Sequence, residues 1–126
     1  MDENELSHAI IGAAIEVHRK LGGTGLLEDV YEQALCHELH LRGFPVERQV
    51  KVPVVYKGLK IKHPLCLDVL VGGKVTVEVK AVEKCQPIFQ AQLLTYLRLA
   101  GKRLGLLVNF GERHLASGIQ RVANQI

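Results

Sequence analysis

Between Leu65 and Val82 apolar residues recur at every second position on both sides of Gly72-Gly73, and no other stretch limits the fold so tightly. Leu67, Val69 and Val71 alternate before the glycines, and Val75, Val77 and Val79 after them. A period of two places one set of side chains on one face of a strand, and paired glycines suit the turn of a hairpin. A two-residue loop, Gly72-Gly73, would set Val71 against Lys74 and Leu67 against Glu78, scattering the apolar set. A three-residue loop, Gly72-Gly73-Lys74, sets Val71 against Val75, Val69 against Val77 and Leu67 against Val79, and keeps one face apolar. That register puts Asp68 opposite Glu78 on the other face, with Lys80 two residues beyond.

A hairpin alone is marginal in water and has to be covered. Ser7 is the expected N-cap of a first helix over Ala9–Leu21, stopped by Gly22-Gly23. A second helix is expected over Leu26–Arg42, with Leu27, Val30, Tyr31, Ala34, Leu35 and Leu41 near the 3.6-residue period and Gly43 as its stop. Val50, Val52 and Val54 alternate as in a strand, Tyr56-Lys57-Gly58 reads as a turn, and Leu59–His63 is a short basic segment. Pro87 suits the first position of a helix running to Ala100 and ended by Gly101. Leu104–Phe110 is a continuous apolar run, as expected of a strand buried on both faces. Leu115, Ile119, Val122 and Ile126 fit a terminal amphipathic helix. The expected order is α-α-β-β-β-α-β-α, an α/β or α+β sandwich around a mixed sheet. The 126 residues suffice for one domain over 1–126, and a chain that is 48% hydrophobic and 23% charged is not disordered.

The net charge of +3 permits a polyanionic partner and excludes histone-like coating of nucleic acid. Aromatics at 5% and the absence of Trp argue against a base-stacking platform. No apolar run reaches the roughly 20 residues of a membrane span, and Met1–Leu6 is acidic and polar, so a cytoplasmic location is expected. Cys36, Cys66 and Cys85 are odd in number and widely spaced, the pattern of reduced thiols. Cys36, His37 and His40 lack a further pair to complete a zinc site, and Cys85 has no evident base partner. Gly22-Gly23-Thr24-Gly25 lacks the Gly-Lys-Ser/Thr ending of a phosphate loop.

Chemistry therefore concentrates on the carboxylates. Opposed residues on a hairpin have Cβ atoms about 4.5–5.5 Å apart, and like charges there repel. Two carboxylates so placed call for a cation, and magnesium, a hard ion that takes one or two carboxylates plus water and phosphate, is the natural choice. The plain alternative is a solvated acidic pair with Lys80 as its neutralising neighbour. Glu28 and Glu32 share one face of the second helix, where they equally fit a solvated surface or the helix dipole. Gln92 and Tyr96 share one face of the third helix and are good hydrogen-bonding partners for phosphate or water. Arg48, Lys51, Lys57, Lys60 and Lys62 supply a basic approach or simply a solvated face.

The succession of a helical Glu, a strand Asp, Glu-x-Lys on the adjacent strand and Gln-xxx-Tyr on the next helix resembles the PD-(D/E)XK nuclease superfamily. More closely, Gly25-Leu-Leu-Glu28-Asp-Val-Tyr31-Glu32 is similar to the signature of the GxxExxY family within it. The likeness continues through Arg48-Gln49-Val50, Tyr56-Lys57-Gly58, Asp68–Val71, Val77–Val82, Gln92–Tyr96 and Gly105–Phe110. Leu67 stands where the superfamily motif has proline, and Cys66 where family members tend to carry a basic residue. The resemblance implies a restriction-endonuclease-like fold with a site core between about residues 24 and 110. It implies metal-dependent hydrolysis of phosphodiester bonds, with Mg2+ as cofactor and Mn2+ as substitute. Asp68 and Glu78 would hold the metal, with the Val79 carbonyl and Glu28 or Glu32 as further ligands. Lys80 would act on the attacking water, with Gln92 and Tyr96 in support. The implied partner is nucleic acid, DNA ahead of RNA. A non-catalytic binding module on the same fold is the alternative, and a homodimer or a subunit of a larger assembly is compatible with the chain's size.

Overall fold

The computed structural model of the chain describes residues 1–125. A five-stranded sheet runs in the order β1-β4-β5-β6-β7, with β1 Val46–Val52, β4 Leu65–Val71, β5 Val75–Lys80, β6 Leu104–Asn109 and β7 Ile119–Ala123. Only β5 and β6 pair in parallel, through a crossover that contains α3, Pro87–Ala100; the other pairs are antiparallel. Two further strands, β2 Val55–Tyr56 and β3 Leu59–Lys60, form a separate two-stranded sheet between β1 and β4. No helix among the described residues is long and apolar enough to cross a membrane.

The β4–β5 hairpin has the three-residue loop, with Val71 against Val75 and Val69 against Val77. Gly72 and Gly73 take φ values of 60° and 66°, a left-handed backbone that glycine adopts freely. The valines of this hairpin pack with Leu104, Leu106 and Val108 against α1, Glu3–Lys20, and α2, Glu28–Leu41. On the opposite face Leu93 and Leu97 of α3 pack with Leu107 and Val122. Helices therefore cover both faces, which is why all six residues of β6 are buried.

Two expectations are corrected. The first helix begins at Glu3, not Ala9, and ends at Lys20. Its cap is Asp2, whose carboxylate accepts the Glu5 N–H while the Glu5 side chain accepts the Asp2 N–H; Ser7 is buried inside the helix. The chain's end is not a helix: a short 3-10 turn, Leu115–Gly118, leads into β7. A strand wins because the edge of β6 needs a hydrogen-bonding partner, and the spacing of Leu115, Ile119 and Val122 serves a turn plus strand as well as a helix. Ile126, the last residue of the expected helix, lies outside the described residues.

Candidate active site

The carboxylates sit at one end of the sheet. β4 enters and β5 leaves at the end opposite the Gly72-Gly73 turn, so residues early in β4 and late in β5 come together there. The register would continue to Asp68 opposite Glu78, but the ladder stops at Val69–Val77. Instead the Asp68 side chain bridges the strands: its Oδ2 accepts the Val79 N–H at 3.0 Å. The ladder to β1 is interrupted opposite the same residue, between the Arg48–Val69 and Val50–Leu67 pairs. Asp68 thus occupies a gap in backbone pairing on both of its sides.

Glu78 is buried beside it, with 7% of its surface exposed, and its Oε1 has no hydrogen-bond partner. Burial and then the neighbouring Asp68 carboxylate push its pKa up to about 8, so the metal-free pair holds a proton at neutral pH. An orphaned buried carboxylate oxygen next to a second carboxylate fits a divalent cation, whose charge would relieve both the repulsion and the burial. No group of three or more His, Cys, Asp or Glu side chains converges among the described residues, so the protein's own acids at this point number two.

Lys80, half-buried at the end of β5, holds its ammonium 4.4 Å from the centre of the Phe89 ring on α3. Tyr96 is half-buried on the same helix, its hydroxyl pKa raised first by burial and then by the charges of Glu78, Asp68 and Cys66. Those influences place Tyr96 within the field of the acidic pair. Gln92, one turn earlier, is exposed and makes no side-chain hydrogen bond among the described residues.

The α2 glutamates separate. Glu28 is exposed in the first turn of the helix. Glu32 is buried, and both its oxygens are engaged: Arg48 Nε donates to Oε2 at 2.5 Å, and Gln49 Nε2 donates to both oxygens at 2.9 and 3.1 Å. The Cys66 thiol in turn donates to Gln49 Oε1 at 3.1 Å. Glu32 is therefore joined through Gln49 to Cys66, two residues ahead of Asp68. Arg48, which also pairs with Asp29, is withdrawn from the basic approach by these ion pairs.

Gln49 is a residue to which sequence reasoning gave no role. It adopts φ 55°, rare for a side chain with a Cβ, and drops out of the β1–β4 ladder at the point opposite Asp68. Nothing in a Gln between Arg48 and Val50 signals such a conformation. Asn109, read from sequence only as part of the apolar run Leu104–Phe110, is likewise structural: its amide accepts the Val82 N–H and donates to the Val82 carbonyl, clamping the loop after β5. At Gly111 a Cβ would lie 2.1 Å from the Val82 carbonyl oxygen, so only glycine lets the two segments pass.

Tyr31 explains the spacing from Gly25 to Tyr31 in physical terms. Its ring is fully buried and stacks on Phe110 at 4.6 Å, while its hydroxyl donates to the Gly23 carbonyl and accepts the Leu26 N–H. Gly25 takes φ 106°, which lets the loop fold back over that hydroxyl. Cys36 and Cys85 offer no competing chemistry: burial pushes the Cys36 thiol up to about 11 and raises Cys85 as well.

The family model of the PD-(D/E)XK nuclease superfamily matches residues 4–122. No curated protein and no solved structure matched the chain. The match runs from the first turn of α1 to Val122 in β7, so it reaches every strand of the mixed sheet and takes in the whole acidic site. On that extent the chain belongs to the PD-(D/E)XK nuclease superfamily.

Proposed function

We propose that the protein is a magnesium-dependent nuclease, with manganese as substitute, and that it belongs to the GxxExxY branch of the superfamily. The observation that carries this reading is the buried, partnerless Glu78 Oε1 beside the Asp68 carboxylate. Asp68 and Glu78 would hold the cation, with the Val79 carbonyl as a further oxygen donor; donors that are all oxygen suit a hard ion. Of the two α2 acids, Glu28 is exposed and Glu32 is buried and tied through Gln49 to the Asp68 strand; Glu32 would reach the cation only by giving up its bonds to Arg48 and Gln49. A divalent cation bound there supplies charge neutralisation for the phosphate and a lowered pKa for the attacking water.

The remaining roles belong to the chain itself. Lys80, held over Phe89, donates a hydrogen bond that orients the water and offsets the negative charge that grows on the phosphate oxygens. The water's oxygen would bond to phosphorus as the bond to the leaving sugar oxygen breaks; the proton that the attacking water gives up would pass to solvent, and the leaving oxygen would take one from solvent. The Tyr96 hydroxyl and the Gln92 amide hold the phosphate or the water from α3. Cys36, Cys66 and Cys85 form no disulfide, in keeping with work in a reducing compartment such as the cytoplasm.

The test offers single- and double-stranded DNA and RNA to the protein with magnesium or manganese, with chelator as control. Chelator-sensitive cleavage of at least one substrate, DNA ahead of RNA, is expected. Lys80→Ala should keep metal binding and lose most of the rate. Wild-type protein inert on all four substrates would favour the non-catalytic reading of the fold.

A further inference from the structure

The segment between β1 and β4 is an arm. β2 and β3 pair only with each other, around a Lys57-Gly58 turn in which both residues have positive φ, 46° and 86°. The arm is anchored at its root by the Ile61 N–H, which donates to the Val54 carbonyl at 2.8 Å. It leaves β1 at Val52 and rejoins the sheet at Leu65, which are paired partners at the end where Asp68, Glu78 and Lys80 lie.

Its composition is one-sided. No acidic residue occurs between Glu47 and Asp68, while Lys51, Lys57, Lys60 and Lys62 all do. None of these lysines makes an ion pair among the described residues; Lys57 instead lies 5.4 Å from the ring centre of Tyr56. Lys51, Lys60 and Lys62 line a single cleft of about 270 Å³ at the arm's root, together with Pro53, Ile61 and Pro64. Three like charges around one cleft repel one another in the free protein, and an anion there would offset the repulsion. The tip carries the opposite anomaly: Val55, Tyr56 and Leu59 are 63%, 61% and 64% exposed on a strand pair that forms its own small sheet.

We propose that this arm grips nucleic acid beside the cleavage site, with backbone phosphates seated in the Lys51–Lys60–Lys62 cleft and Tyr56 and Leu59 packed on sugar and base. The inference rests on the nuclease reading for the direction of approach. Charge selects the occupant: unpaired lysines alternating with exposed apolar side chains match a polymer that alternates phosphate with sugar and base.

The experiment measures binding rather than cleavage, so its failure is distinguishable from failure of the nuclease reading. Fluorescence anisotropy follows short labelled DNA and RNA duplexes and single strands in chelator, across a range of salt concentrations. The combined variant Lys51→Ala, Lys60→Ala, Lys62→Ala should bind about 10–100-fold more weakly at ~0.1 M salt. It should also lower the slope of log affinity against log salt by about 2–3, close to 0.9 for each lost phosphate contact. Tyr56→Ala should weaken binding with the slope unchanged. Circular dichroism should show the main sheet intact in both. Tyr56 and Lys60 lie on β2–β3, which pairs with none of it, and Lys62 lies between that pair and β4. Lys51, in β1 opposite Cys66, is exposed and keeps its backbone pairing as alanine. Unchanged affinity and slope in the triple variant, or no binding of any nucleic acid by the wild type, overturns the proposal. Self-association that is lost in Tyr56→Ala while nucleic-acid binding is kept would overturn it too, and assign the tip to a protein interface.

Discussion

Glu78 carries a proton that a glutamate in water would have lost, and the consequence is measurable without any metal. In the unfolded chain it titrates near its ordinary 4.5, and in the fold near 8. Between those values the folded protein binds a proton that the unfolded chain releases. The stability linked to this group is therefore intact below about pH 4.5 and is lost as pH rises towards 8. Thermal unfolding in chelator should show metal-free stability falling between about pH 5 and pH 8, and Glu78→Gln should flatten that slope. At pH 8 the variant should be more stable than wild type by about 1–3 kcal/mol; equal slopes would mean that Glu78 is not held protonated. Substitution of Asp68 needs more care, because its Oδ2 accepts the Val79 N–H. Asp68→Asn removes the repulsion and keeps an acceptor, whereas Asp68→Ala would also orphan a backbone donor.

Strand β1 shows how an element is bent to serve a site. Gln49 adopts a left-handed backbone in the middle of a strand, and its amide hydrogen bonds to Glu32 offset that strain. Gln49→Ala keeps the strain and loses the bonds, so chemical denaturation should show a loss of about 2–4 kcal/mol; Gln49→Gly relieves the strain and should lose only about 1–2. Equal losses would remove backbone conformation as the constraint. At the other edge, Val122→Ala should destabilise by about 1–2 kcal/mol, since the side chain packs with Leu107 and α3, while exposed Ala123→Ser should be near neutral. These two edges are also where the sequence was least legible. The hairpin register could be read from the alternation of Leu67, Val69, Val71, Val75, Val77 and Val79, because a slip of one residue turns the whole apolar set outward. β7 has no such alternation: Arg121 and Ala123 are exposed and Val122 alone is buried, so its strand state comes from β6, not from its own pattern. The Asp2 cap was hidden because Asp2–Glu5 reads as a polar tail until both halves of the capping box are seen.

At the scale of the whole molecule, unlike charges share one end of the sheet: a buried acidic pair at the β4–β5 strands, and an arm of unpaired lysines beside it. The acids at Asp68 and Glu78 could be placed together from sequence because they lie on one hairpin. The relation of Glu28 and Glu32 to them could not, since it depends on how α2 meets the sheet and on a Gln49 conformation invisible in the chain. A mild net charge of +3 concealed this separation, because averaging over 126 residues cancels the arm against the site. The central claim is that Asp68 and Glu78 together hold a divalent cation. Its most direct test is a calorimetric titration of magnesium, and of manganese, into wild type, Asp68→Asn and Glu78→Gln. Both variants relieve repulsion in the metal-free fold, so weakened binding would not reflect unfolding. Binding by the wild type, and its loss by at least about 10-fold in each variant, is the predicted result. Binding that survives unchanged in either variant, or is absent from the wild type, would contradict the claim.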